Sequence, residues 1–276
     1  MRVARADADP VLAELLELSP AGLEECDDGG DSVEYVIYGA PGELPELPDV
    51  RAAVGAALVE VSTTEVPDDW PERWKAFHTP IEVGHVRIRP PWEPRAGDGV
   101  DVVIDPAQAF GTGAHWTTRL CLELLLDATS SRVRAPAKDG RPKPPLPLAD
   151  WGAGSGVLAV VAAKLGYAPV AAVDYDPLSV EACRDNARAN GVALDVARVD
   201  LRSESGPWAP VVCANLLRPL LLEVAARLER PPELLIVSGL LRQEGDEVAA
   251  AFARHGLRER DRREGGEWVA LALARD

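Results

Sequence analysis

The sequence predicts an α/β protein. Its main body is a seven-stranded, mostly parallel sheet, and a small α+β domain precedes it. Three observations predict this. An apolar run at 147–151, a glycine-rich turn, a helical run and a second apolar run ending at Asp174 make one βαβ unit. Downstream, helical and strand-like segments continue to a hairpin pattern around Gly265-Gly266. Upstream, residues 1–66 run in a β-α-β-β-α-β order.

Taken in order, residues 2–6 read as a short strand. Asp9-Pro10 opens a helix, with a capping carboxylate and a proline in the first turn. Val11, Leu12, Leu15, Leu16 and Leu18 give that helix an apolar face. A strand opens at 22–25, Asp27-Asp28-Gly29-Gly30 turns the chain, and 33–38 is β-rich. A helix at 50–56 and a strand at 58–66 complete a domain that resembles a small ferredoxin-like fold. Residues 67–99 read as a connection. In it, Trp70, Trp74 and Phe77 share the packing face of a capped helix, and a strand follows at 83–89. The main domain spans 100–276 and starts with a strand at 100–105. Residues 129–147 read as a solvated, semi-stiff linker. Then come a strand from Leu148, a helix from near Ser155 and a strand to Asp174. Helix 177–190, strands 194–199, 210–214 and 234–237, helix 241–255 and a hairpin of 257–263 with 267–274 complete the chain.

Composition excludes several classes. A net charge of −16 argues against a nucleic-acid partner held through phosphates and favours a basic partner. No apolar run is long enough to span a bilayer, and the first residues lack a signal-peptide core, so the chain reads as cytoplasmic. Cys26, Cys121, Cys183 and Cys213 are scattered, which suits reduced, mostly buried thiols; neither they nor the four histidines have metal-ligand spacing. The basic residues are nearly all Arg, with Lys only at 75, 138, 143 and 164, which fits genome composition.

The chemistry concentrates in two stretches. Gly152, Gly154 and Gly156 let the backbone turn tightly and approach a ligand, and the following helix aims its N–H groups at that ligand. Asp174 lies 22 residues beyond Gly152, placed to accept hydrogen bonds from a ribose diol. The spacing is G-x-G-x-G, not the G-x-G-x-x-G of dinucleotide enzymes, and it resembles the S-adenosylmethionine (SAM) signature of class I methyltransferases. The second stretch, at 105–119, reads Asp-Pro-Ala-Gln-Ala-Phe-Gly-Thr-Gly-Ala-His-Trp-Thr-Thr-Arg and leads into an apolar helix. Together with the glycine turn, the Trp-bearing connection and Asn215-Leu216-Leu217, it resembles the PrmA family, the methyltransferases of large-subunit ribosomal protein eleven.

That resemblance implies a seven-stranded, Rossmann-like class I methyltransferase. It would be a monomer that uses SAM to methylate lysine side-chain or N-terminal amines of a basic ribosomal protein. Residues 1–66 would recruit the substrate. Thr118, Gly152, Asp174 and Asn215 would contact the cofactor, with Gly154, Asp150 and His115 as neighbours and Asp200 near the adenine. Asn215 would orient the amine, and His115 is the candidate base. The Leu216-Leu217-Arg218 turn offers no ring to stack a base, which favours a protein amine. Ala107 and Trp151 depart from the family, which has a glycine and a smaller residue there. Either would mark a methyltransferase for another protein, such as an electron-transfer flavoprotein subunit, or a SAM-binding module without activity. An NAD-dependent oxidoreductase is the alternative of a different class.

Overall fold

Alternation builds the first unit, Met1–Trp70, of the computed structural model. The structure describes residues 1–8, 11–12, 15, 23–26, 30–37, 44–45, 47–63, 78–106, 115–134 and 144–275. Strands β1 (Arg2–Ala4), β2 (Glu24–Cys26) and β3 (Ser32–Val36), helix α1 (Leu47–Val54) and strand β4 (Leu58–Glu60) follow in that order. The sheet order is β2-β3-β1-β4, and every pairing is antiparallel. Val33 and Tyr35 alternate inward along β3, and Val50 and Val54, one helical turn apart, join them in the core with Val3. The Tyr35 hydroxyl donates to the Ala8 carbonyl at 3.0 Å, which satisfies a polar group inside that core. Of the helix expected from Asp9, Val11, Leu12 and Leu15 are described and helical, with Val11 and Leu15 buried in this core, whereas the Trp-bearing helix at 68–77 lies outside the described residues.

The second unit, Pro71–Asp276, opens with a three-stranded sheet of β5 (Ile81–Val83), β6 (Val86–Arg89) and β7 (Val100–Val103). The single strand expected at 83–89 is two strands, because Gly84 at φ 58° turns the chain back on itself. The strand at Val100 pairs in parallel with β6. Helix α2 (Trp116–Arg134) runs into the stretch expected as linker: the Thr129 hydroxyl donates to the Leu125 carbonyl, four residues back, at 2.7 Å. Residues 135–143 lie outside the described part.

The main sheet then forms. Its elements are β8 (Leu148–Trp151), α3 (Val157–Lys164), β9 (Val170–Asp174), α4 (Pro177–Ala189), β10 (Asp195–Arg198), β11 (Val211–Asn215), α5 (Arg218–Ala226), β12 (Leu234–Leu241), α6 (Gly245–Ala253), β13 (Arg258–Gly265) and β14 (Trp268–Ala274). The order is β10-β9-β8-β11-β12-β14-β13, with β14 antiparallel to both neighbours and the other pairs parallel. The sequence thus foretold the seven strands and the antiparallel end. The long helix expected at 241–255 is shorter, because β12 continues through Leu241 and a 3₁₀ turn at Arg242–Glu244 intervenes.

Period-2 alternation divides the sheet between two apolar layers. Leu148, Val170, Val211, Cys213 and Ile236 face α2, α3 and α4; Ala149, Trp151, Val212, Ala214 and Leu235 face α5 and α6. Both faces are covered, so the central strands are mostly apolar. Each fully buried Leu or Ile contributes about 1.5–3 kcal/mol. Cys121, Cys183 and Cys213 are buried in the first layer, whereas Cys26 is exposed. Among the described residues no helix is long and apolar enough to cross a membrane.

Candidate active site

Strand β8 has β9 on one side and β11 on the other, so the chain winds away from it in both directions. Open α/β sheets bind ligands at the carboxyl ends of strands at such a reversal. Three strand ends meet there: Gly152 after β8, Asp174 closing β9 and Asn215 closing β11. The amino end of α2 brings Thr117 and Thr118 to Asn215.

The glycine turn is built from backbone bonds to β9. The N–H groups of Gly152 and Ala153 both donate to the Val173 carbonyl, at 2.8 and 2.9 Å. Gly152, Gly154 and Gly156 have φ of 75°, 52° and 79°, values that favour glycine. A Cβ on Gly152 would lie 2.2 Å from the Leu216 side chain, so the turn is also in contact with the loop after β11. Asp174 is fixed from both sides. Its Oδ2 accepts from the Gly154 N–H at 2.9 Å and its Oδ1 from the Asp176 N–H at 3.0 Å. Each oxygen keeps a lone pair, so the carboxylate can still accept from a diol.

Asp150 has a different setting. It is 1 % exposed, and its Oδ2 accepts from the Ala159 N–H at 3.0 Å. The residue preceding α3 is Gly156, which has no side chain to cap the helix. Asp150 reaches across from β8 to supply that acceptor, at the positive end of the helix dipole. Its other oxygen, Oδ1, is buried without a hydrogen-bond partner. Burial, with the nearby Asp174 adding to it, pushes the carboxyl up to about 7.

Asn215 belongs to a polar chain. Its Nδ2 lies 3.2 Å from Thr117 Oγ1 and 3.4 Å from Thr118 Oγ1. Thr117 Oγ1 in turn lies 2.8 Å from His115 Nδ1. Asn215 donates to Thr117, so the threonine hydroxyl is left to donate onward, and His115 Nδ1 is the acceptor. Lost hydration holds the His115 pKa below its usual value, consistent with a neutral ring. The ring meets Trp268 edge to face, with centroids 4.7 Å apart. Thr117 and Thr118 are 5 % and 1 % exposed. Sequence reasoning singled out Thr118 and passed over Thr117. The signal was available, since consecutive residues at a helix start can both turn toward a strand end.

Asp200 lies two residues beyond β10. Its carboxylate accepts from the Arg202 N–H and the Arg202 guanidinium, at 3.0 and 2.9 Å, and those bonds hold its pKa low. The same guanidinium stands 4.6 Å from the centroid of the exposed Tyr175 ring. Trp151 points away from the glycine turn's side of the sheet. It is 4 % exposed in the layer with Leu221 and Val224, and its indole N–H donates to the Pro207 carbonyl at 3.1 Å. Ala107 lies outside the described residues.

The family model for ribosomal protein L11 methyltransferase (PrmA) matches residues 49–276. The chain belongs to the PrmA family. A curated PrmA relative, the ribosomal protein L11 methyltransferase of Pelobacter propionicus, is 38 % identical over 223 residues, covering 78 % of this chain and 69 % of its own. Another, of the same name from Syntrophotalea carbinolica, is 34 % identical and covers 99 % of this chain and 96 % of its own. The crystal structure of a ribosomal protein L11 methylase from Lactobacillus delbrueckii subsp. bulgaricus superposes with a TM-score of 0.60 at 28 % identity, covering 72 % of this chain and all of that one. PrmA membership makes this chain a methyltransferase acting on protein, with the class I α/β fold, and sets the oxidoreductase alternative aside.

Proposed function

We propose that this chain transfers methyl groups from SAM to lysine side-chain or N-terminal amines of ribosomal protein L11. One observation carries the reading: in a PrmA-family chain, Asn215, tied to Thr117 and Thr118, meets the glycine turn and Asp174 at the sheet's reversal point. The residues suit a nucleoside-bearing cation. The positive-φ glycines let the turn close tightly against Leu216 and Cys183, Asp174 retains acceptor capacity for a ribose diol, and the threonine hydroxyls and Asn215 offer neutral polar contacts. Gly152, Gly154, Asp174, Thr118 and Asn215 would hold SAM, which supplies an electrophilic methyl group when bound. Asp150 acts beneath them by fixing the turn and helix. Asp200 is the weakest cofactor candidate, because Arg202 already takes its carboxylate.

The protein's own work is to present a neutral amine. A lysine with a pKa of about 10.4 is mostly protonated near neutrality, and a desolvated site favours its neutral form. Asn215 Nδ2 is committed to the threonines, so its Oδ1 is the acceptor for an amine N–H. Thr117 holds that carboxamide in place and His115 holds Thr117. His115 therefore reads as a positioning residue, since its Nδ1 lone pair is already engaged. Holding the nucleophile in line supplies much of the rate.

The first unit reads as a ferredoxin-like, substrate-recruiting domain over residues 1–66, on the support of its antiparallel β2-β3-β1-β4 order. Residues 100–276 would carry the cofactor, joined through 67–99. Trp151 no longer argues for a divergent substrate, because its ring packs in the layer beneath α5. The test is to incubate the purified chain with methyl-labelled SAM and unmodified ribosomal protein L11. Label in the ribosomal protein is expected. Binding of S-adenosylhomocysteine (SAH, the demethylated product) without label in that protein would overturn the substrate and leave the cofactor.

A further inference from the structure

Asn186 sits on the buried face of α4, with Ala182 and Cys183, and is 3 % exposed. Both ends of its carboxamide are used. Oδ1 accepts from the Asp105 N–H at 3.0 Å, and Nδ2 donates to the Ser155 carbonyl at 2.8 Å. Asp105 opens the stretch 105–118 that ends at Thr118, and Ser155 lies inside the glycine turn between Gly154 and Gly156. One side chain therefore joins Asp105 to the glycine turn, reaching 81 residues back for one bond and 31 for the other. The partners also dictate the residue type. An N–H must meet an oxygen and a carbonyl must meet an N–H, and asparagine offers one of each at this reach. Aspartate would face the Ser155 carbonyl with an oxygen, and leucine would make neither bond.

A neighbour separates this role from simple packing. Asn190, one turn further along, accepts from the Val103 N–H at 2.8 Å and donates to the Val103 carbonyl at 2.6 Å. It ties α4 to the same extended segment, two residues before Asp105, but makes no bond to the glycine turn. Both amides thus tie α4 to the segment 103–105; Asn190 also donates to the Asn186 carbonyl at 2.8 Å, and of the two only Asn186 bonds the glycine turn.

We propose that Asn186 is a positioning residue for cofactor binding, fixing the glycine turn at Ser155 against the extended segment that ends at Asp105. The proposal rests on the SAM reading given above. Its test compares Asn186→Ala with Asn190→Ala in the full chain by SAH calorimetry, methyl-transfer kinetics and thermal unfolding. Asn186→Ala is expected to raise the SAH Kd and the KM for SAM about tenfold, with kcat within about twofold. Asn190→Ala is expected to lower the unfolding temperature while leaving Kd and KM within about twofold. Asn186→Asp keeps the volume and the acceptor toward Asp105 but loses the donor, and it gives the same KM-selective loss if the alanine variant does not fold. Equal Kd changes at the two positions, or an unchanged Kd in the Asn186 variants, would overturn the proposal. A wild-type chain that binds no SAH would instead overturn the cofactor reading itself.

Discussion

Asp150 stands where β8 hands the chain to the glycine turn, and one carboxylate caps a helix whose first residues have no cap of their own. The arrangement has a measurable cost. Its pKa rises from 3.8 to about 7 on folding, so between those values the unfolded chain is ionised and the folded chain holds the proton. The stabilisation is therefore complete below the unfolded pKa and disappears as pH rises through about 7, a change on the order of 4 kcal/mol. An amide at this position does not titrate and would not show the change. When Asp150→Asn is compared with wild type by thermal unfolding, the difference should move in the variant's favour from pH 4 to pH 8; a difference that stays flat would show that burial does not hold the proton on. Residue types at strand ends are legible in the sequence for Gly152 and Asp174, whereas Asn215 comes from the family resemblance. Partners are not. Nothing in the local pattern says that Asp150 reaches Ala159, nine residues on, or that Asn186 spans two segments. Those bonds depend on how the layers stack.

Elements were more readable than contacts, because apolar alternation and turn residues are local signals. The misreadings have local causes too. Gly84 at positive φ splits one expected strand, and the half-buried helix around Thr129 looks like a linker because its sequence carries few apolar residues. Trp151 was ambiguous because its direction depends on the parity of β8, and only Gly206 shows the fit. A Cβ there would lie 2.4 Å from the indole nitrogen. Gly239 in β12 is a comparable case at the site itself. Its φ is 84°, and a Cβ would meet the Leu216 carbonyl oxygen at 2.4 Å. That oxygen belongs to backbone, so it has no rotamer through which to retreat. Gly239→Ala should cost roughly 1–3 kcal/mol of stability and also displace the turn after Asn215. Denaturant unfolding and initial-rate transfer assays check both. An alanine variant with wild-type stability and rate would show that this turn tolerates the displacement.

Charge is distributed unevenly over the whole molecule. Residues 1–70 hold 17 acidic side chains against 3 arginines and no lysine, so most of the net charge of −16 belongs to the first unit. An acceptor that is a basic protein would be drawn to that unit through a field that salt screens over about 8 Å at physiological ionic strength. Raising salt from about 50 to about 500 mM should raise the KM for the ribosomal protein severalfold and leave SAH affinity within about twofold. A salt-independent KM would place recognition in short-range contacts instead.

The sheet order also bears on how the molecule is made. β14 follows every other strand in the chain, yet it lies inside the sheet, between β12 and β13. Until residues 268–274 have left the ribosome, β13 has no neighbour and the apolar flank of β12, from Ile236 to Leu240, stands open. The charged sequence of β13, Arg-Glu-Arg-Asp-Arg-Arg-Glu-Gly, suits a strand that must wait exposed without joining another chain. His115 rests on Trp268, the first residue of that late strand. The His115–Thr117–Asn215 chain therefore gains its last support only when synthesis of the sheet is finished, and a nascent chain would stay idle until then.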